Sequence, residues 1–175
     1  MRTLLVAASC AVWTLGVFAQ TPANPLAGPA PVRNDTMHLT VHTSISDTVV
    51  TPGQKLSLAF DVTPKRSMHV YAPGKHDYQV ITVKVDPQPW LKLEPTNYPP
   101  SEIYHFKELD EKVETYGKRF TLVQELTVLN TAAAKKALAA GSPIKLSGRL
   151  EYQACDDKVC YAPTRIPVSF ALTVK

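Results

Sequence analysis

The segment IPVSFALTV near the C-terminus places Ile166, Val168, Phe170, Leu172 and Val174 at every second position. A period of two sends apolar side chains to one face of an extended chain and the residues between them to the other. The same period recurs along the chain. KLSLAFDV alternates Leu56, Leu58, Phe60 and Val62, and MHLTVHT alternates Met37, Leu39 and Val41. QVITVKV offers Ile81, Val83 and Val85, RFTLVQELTV offers Phe120, Leu122, Leu126 and Val128, and PIKLSGRLEY offers Ile144, Leu146, Leu150 and Tyr152. Such alternation predicts half-buried strands. TPGQ at 51–54 and APGK at 72–75 carry turn chemistry between them. One stretch departs from the pattern: TAAAKKALAAG has Thr131 as a possible N-cap and Gly141 as a possible C′ residue, which predicts one short helix. About seven strands, proline-rich loops and one helix predict an all-β fold, an immunoglobulin-like antiparallel β-sandwich, with no internal repeat.

The N-terminus reads differently. Arg2, the apolar run TLLVAASCAVWTLGVF and the small residues of VFA before Gln20 predict a signal peptide over 1–19, cleaved after Ala19. A signal anchor is the alternative, but the run is short for a bilayer span, which takes about 20 apolar residues. Lipid attachment at Cys10 through AASC is disfavoured by the short apolar run before it. Residues 20–36 hold four prolines and no periodicity, which predicts a linker, so the folded domain is expected over 37–175. With 45% hydrophobic residues, the chain is adequate for one domain with a full core. The net charge of +4 is mild and scattered, so no nucleic-acid partner is indicated. No later segment is long and apolar enough to span a membrane, so the expectation is a soluble exported protein.

Signal cleavage removes Cys10 and leaves Cys155 and Cys160, in YQACDDKVCYAP, in a compartment where disulfides persist. They flank a short polar loop between two strands expected to be antiparallel, and such a hairpin brings Cα atoms within disulfide reach. As a staple, so small a loop is worth only about 2 kcal/mol. As a redox pair it departs from the C-x-x-C motif. Asp156 and Asp157 disfavour a nearby thiolate and Lys158 favours one, which suits a passive partner in exchange rather than a strong oxidant. The metal reading adds His38, His42, His69, His76 and His105, but no Cys/His spacing matches a zinc site. Met-His at 37–38 and 68–69 would suit Cu(I). No cofactor and no metal ligand is assigned, and spacing alone leaves staple and redox pair open.

GRLEYQACDDKVCYAPTRIPV resembles the signature of the N-terminal periplasmic domain of DsbD, the thiol:disulfide interchange protein. There a strand ends in Tyr-Gln-x-Cys, followed by a polar loop, Cys-Tyr, a proline and the last strand; here these are Tyr152, Gln153, Cys155, Cys160, Tyr161 and Pro163. Upstream, YPPSEIYHFKELDEKVETYGKRFTLVQELTV resembles the central stretch, with Glu114 and Tyr116 as its Glu-x-Tyr. The resemblance spans roughly residues 37–175. It implies an immunoglobulin-like domain that takes electrons from a thioredoxin-like domain. It passes them to periplasmic acceptors, such as the disulfide isomerase and the thioredoxin-like protein of cytochrome c maturation.

Carried over residue by residue, Cys160 resembles the cysteine that forms the mixed disulfide and Cys155 the one that resolves it. The cap falls within HFKELDEK, which holds Glu108, with Phe106 or Leu109 over the sulfurs. His69 and Tyr71 lie where the family has aromatic residues beside the cysteines. Tyr161 is placed either on the disulfide or in ordinary edge-strand packing. Two departures stand out: Lys107, Glu108, Leu109 and Asp110 replace an acid-Glu-aromatic run, and Ala162-Pro163 replaces a double proline. Because the chain ends at Lys175, its electrons are expected from a separate protein such as a membrane electron carrier. The leading expectation is therefore thiol–disulfide exchange between thioredoxin-like partners. The rivals are a non-catalytic immunoglobulin-like binding module with a structural disulfide and, third, a periplasmic copper carrier.

Overall fold

The computed structural model describes residues 29–107, 110–141 and 143–175. The expected signal peptide and Cys10 lie outside these residues, as do Glu108 and Leu109. Two sheets form the body. The first runs β1 (Val32–Asp35), β2 (Leu39–Ile45), β4 (Lys55–Pro64), β10 (Phe120–Val128) and β7 (Leu91–Asn97), all pairs antiparallel. The second runs β3 (Val49–Val50), β13 (Thr164–Val174), β11 (Ile144–Tyr152) and β6 (Thr82–Val85). The two-residue pairing of β3 with β13 is parallel. The architecture is the immunoglobulin-like sandwich that the alternation predicts.

Its core is built from the residues read at period two. Leu56, Leu58, Phe60 and Val62 are buried along β4, and Leu122, Leu126 and Val128 along β10. Leu146, Leu150 and Tyr152 from β11 and Ile166, Val168, Phe170 and Leu172 from β13 complete it. Each fully buried side chain of this size contributes roughly 1.5–3 kcal/mol. The helix α1 (Ala132–Ala139) is capped as expected: Ala134 N–H donates to Thr131 Oγ1 at 3.1 Å, and Ala134 and Leu138 face the core.

Two details depart from expectation. The end of the expected linker is strand: β1 occupies 32–35 and pairs with β2 through its backbone, with Asp35 accepting from Arg33, Thr40 and Lys65. Backbone pairing needs no apolar period, so composition could not show it. The cysteines also do not sit on the hairpin itself. Although β11 and β13 are antiparallel partners through Tyr152 and Thr164, the chain between them leaves their sheet and joins a third.

That third sheet runs β12 (Ala154–Cys155), β5 (His69–Tyr71), β9 (Glu111–Tyr116) and β8 (Glu102–Phe106). One face, with Ala154, Val70 and Tyr116, packs into the main core. Registers Cys155↔His69, Tyr71↔Thr115, Tyr104↔Val113 and Phe106↔Glu111 place Cys155, His69, Tyr71, Val113, Tyr104 and Phe106 together on the other. The site is this second face.

Candidate functional site: a half-buried disulfide in an aromatic pocket

Cys155 and Cys160 are disulfide-bonded, with Cα atoms 4.1 Å apart. The two sulfur-bearing residues differ in environment. Cys155, at the end of β12, is wholly buried, whereas Cys160 is exposed. The intervening loop is organised by Asp156. Its Oδ1 accepts the N–H groups of Lys158 at 2.8 Å and Val159 at 2.7 Å, and its Oδ2 accepts the Tyr161 hydroxyl at 2.9 Å. These bonds, the backbone N–H groups first, hold the Asp156 carboxyl below its ordinary range. Asp156 N–H donates to Val159 O at 3.0 Å and Tyr161 N–H to Ala154 O at 2.9 Å, which closes the loop.

Tyr71 sits beneath the bond. Its hydroxyl lies 2.9 Å from Cys155 Sγ and 3.2 Å from Cys160 Sγ. Disulfide sulfurs carry no proton, so the phenol donates. Burial, and then the nearby Tyr78 and Glu111, push the Tyr71 phenol well above its ordinary value, so it stays protonated across the neutral range. Tyr78 stacks on Tyr71 with centroids 4.2 Å apart and planes 3° from parallel. The Tyr78 hydroxyl is anchored on Glu111 Oε2 at 2.6 Å. His76 packs against the same ring and donates from Nε2 to Ala72 O at 2.8 Å.

The β8–β9 hairpin supplies the other wall. Phe106 is buried in one apolar cluster with Tyr71, Val113 and Cys155. Tyr104 stacks on His69 with centroids 4.4 Å apart, and its hydroxyl donates to Asp157 Oδ1 at 2.5 Å. The edge strand thereby grips the cysteine loop. At the hairpin turn Asp110 adopts a left-handed φ of 46°, and its Oδ1 lies 2.9 Å from His105 Nε2.

Of the residues singled out in the sequence, Cys155, Cys160, His69, Tyr71 and Phe106 converge here. Tyr161 holds the loop rather than the sulfurs: its hydroxyl donates to Asp156, its ring packs on His38 at 4.5 Å, and the hydroxyl on the sulfurs belongs to Tyr71. Tyr104, Tyr78, Glu111 and the loop-organising role of Asp156 were not anticipated. Tyr104 carries a signal, since it alternates with Phe106 in EIYHF; Tyr78 sits in a loop and carries none. Among the described residues no three His, Cys, Asp or Glu side chains come together to hold a metal ion. No described helix is long and apolar enough to cross a membrane.

Fold and site together define an immunoglobulin-like domain that presents one exposed and one buried sulfur of a single disulfide at an aromatic pocket. The model of the family described as thiol:disulfide interchange protein DsbD, N-terminal, matches residues 37–171. The chain belongs to this family. Among solved structures it is similar to the N-terminal periplasmic domain of ScsB from Proteus mirabilis, with a TM-score of 0.61 and 11% identity over 83% of the chain. At that identity the likeness concerns the fold, and the match spans about half, 52%, of that structure. No curated protein sequence matches the chain.

Proposed function

We propose that this protein is a thiol–disulfide exchange domain. It passes reducing equivalents between thioredoxin-like proteins through Cys155 and Cys160. Family membership supports exchange chemistry, and one observation carries the assignment of roles: Cys160 is exposed while Cys155 is fully buried against a phenol donor.

A donor's thiolate reaches only the exposed sulfur. It attacks Cys160 Sγ, the S–S bond breaks, and Cys155 leaves as a thiolate into the pocket. There the Tyr71 O–H, already 2.9 Å away, stabilises the developing charge. A second donor thiol then releases Cys160, leaving the domain reduced. In the forward delivery step Cys160 attacks the acceptor's disulfide, and Cys155 resolves the mixed disulfide. Phe106 covers the buried sulfur of Cys155 and keeps stray thiols from it. Burial of Phe106 against Cys155 supports that role. The location consistent with a disulfide of this kind is the periplasm, with electrons supplied by a thioredoxin-like partner. No cofactor is needed, because the two sulfurs hold both electrons.

Cys155→Ser leaves Cys160 without its resolving partner. Mixed with an oxidised thioredoxin-like partner, the reduced variant is expected to accumulate a mixed disulfide at Cys160, while Cys160→Ser accumulates none. Equal capture by both variants would overturn the division of roles. A reduction potential far below about −300 mV would mark a purely structural bond and remove the exchange reading altogether.

A further inference from the structure

Three histidines lie close to the cysteine loop with a buried, unpartnered ring nitrogen: His38, His69 and His76. His76 uses its other nitrogen on a backbone carbonyl, and His38 lies behind Tyr161. His69 has a different position. It is directly opposite Cys155 in the β5–β12 pair, and both side chains project from the same face. Directly opposed residues hold their Cβ atoms about 4.5–5.5 Å apart. Only 4% of His69 is exposed, and Cys155 has no exposure. The imidazole is clamped by Tyr104 at 4.4 Å and Phe106 at 5.2 Å, and Tyr71 lies edge-on at 6.3 Å. A buried ring nitrogen with no partner is rare in native proteins and asks for a reason.

We propose that His69 holds the proton of Cys155 in the reduced domain, so that the resolving cysteine is a buried thiolate beside an imidazolium. The proposal rests on the exchange reading and deepens it. In the disulfide form neither sulfur titrates, and burial keeps the imidazole neutral by lowering its affinity for a proton. Asp156 and Asp157 of the loop oppose this and favour the imidazolium. From β5 the facing titratable group is Tyr71. From β8 they are Tyr104 and, across the shallow cleft that His69 lines, Glu102. β9 contributes Thr115, which does not titrate, and Glu111, which lies opposite Phe106 and accepts from the Tyr78 hydroxyl; β12 contributes Cys155 itself. Reduction adds the missing element, a buried sulfur that can become an anion. Moving one proton from Cys155 Sγ to His69 creates both ions together, and the pocket gains no net charge.

The step balances without any further reactant. The Cys155 S–H bond breaks, an N–H bond forms on the imidazole, and no electron moves. During delivery Cys160 is already bonded to the acceptor's sulfur. The Cys155 thiolate attacks Cys160 Sγ, the intramolecular bond forms, and the electron pair leaves with the acceptor as a thiolate. The acceptor is reduced and the domain oxidised. The imidazolium proton then passes through water to the departing thiolate, and His69 returns to its neutral form.

The test follows the His69 ring and the Cys155 Cβ by nuclear magnetic resonance in the full chain, across pH and in both redox states. The expected result is that His69 titrates at higher pH in the reduced protein than in the oxidised one, together with Cys155. In His69→Asn the thiolate fraction of Cys155 at neutral pH is expected to fall about tenfold, one pKa unit. Identical His69 titrations in the two redox states would overturn the proposal, as would a Cys155 titration unmoved in folded His69→Asn. If that variant does not fold, the redox dependence of His69 in the unaltered chain decides alone. No partner protein takes part in this measurement, so its failure is distinct from a failure of mixed-disulfide capture.

Discussion

The two main sheets and the small third sheet solve the same burial problem with different side chains. Between the main sheets the core is mostly aliphatic, with Phe60, Trp90, Tyr116, Phe120, Tyr152 and Phe170 among Leu, Val and Ile. On the outer face of the third sheet the buried groups are Tyr71, Phe106, His69 and a cysteine, joined by Tyr78 and Tyr104. Aliphatic side chains can only pack. Aromatic side chains with a polar tip bury area and still present a hydrogen-bonding group. Stability is therefore concentrated in the first region and chemistry in the second, and substitutions in the two are expected to separate these properties.

The largest effect on stability is expected from Phe60→Ala. Phe60 is fully buried at the centre of β4, paired to Leu122 of β10 and Thr43 of β2. Its truncation is expected to cost about 3–5 kcal/mol, read from chemical denaturation. Whatever fraction stays folded is expected to exchange at the unaltered rate. A slowed exchange in that fraction would mean that the two regions are not separable.

Tyr71→Phe is the converse experiment. It keeps the ring, its stack on Tyr78 and nearly all of its buried area, and removes only the donor to both sulfurs. Loss of one hydrogen bond is expected to change stability by about 1 kcal/mol. The leaving Cys155 thiolate, by contrast, loses a charge-assisted bond worth about 1.5–3 kcal/mol. Reduction by a small thiol such as dithiothreitol is expected to slow about tenfold or more, since each 1.4 kcal/mol of barrier is a factor of ten. An unchanged rate would make Tyr71 a packing residue only.

The same contrast explains what the sequence discloses. β4, β10 and β13 are long, with one face on the core, and their alternation maps residue by residue onto burial. β5 is three residues long and buried on both faces, and β12 is two residues long. Neither has the length or the one-sidedness that creates a period, so these two strands of the third sheet are invisible to pattern. The bond between Cys155 and Cys160 is legible in their spacing together with the expected export. That Tyr71 rather than Tyr161 donates to it depends on register across β5, β9 and β12, which is a tertiary fact. Tyr78 reaches the site from the loop between β5 and β6, held by Glu111 from 33 residues away. No local rule in the sequence connects the two.

Acid sharpens the comparison most finely. On the main sheets Asp35, Asp61 and Glu151 are held below the ordinary carboxylate range chiefly by arginine side chains: Arg33, Arg119 and Arg149. Asp156 is lowered chiefly by backbone N–H groups of its own loop. For all four the folded value lies below the unfolded one. Each therefore stabilises the fold above the unfolded carboxylate range of about 4, and this is lost as pH falls through the folded value. Salt separates them, because exposed ion pairs are screened and short bonds to backbone N–H groups are not. Asp156→Asn is expected to leave the neutral-pH fold intact and to flatten a small part of the acid decline in thermal midpoint. That part is expected to persist in high salt, while the part due to the arginine-paired carboxylates diminishes. If salt erased the difference between Asp156→Asn and the unaltered chain, the loop would be held by Coulomb attraction to Lys158. The Asp156 turn would then not be what keeps Cys160 presented when the disulfide opens.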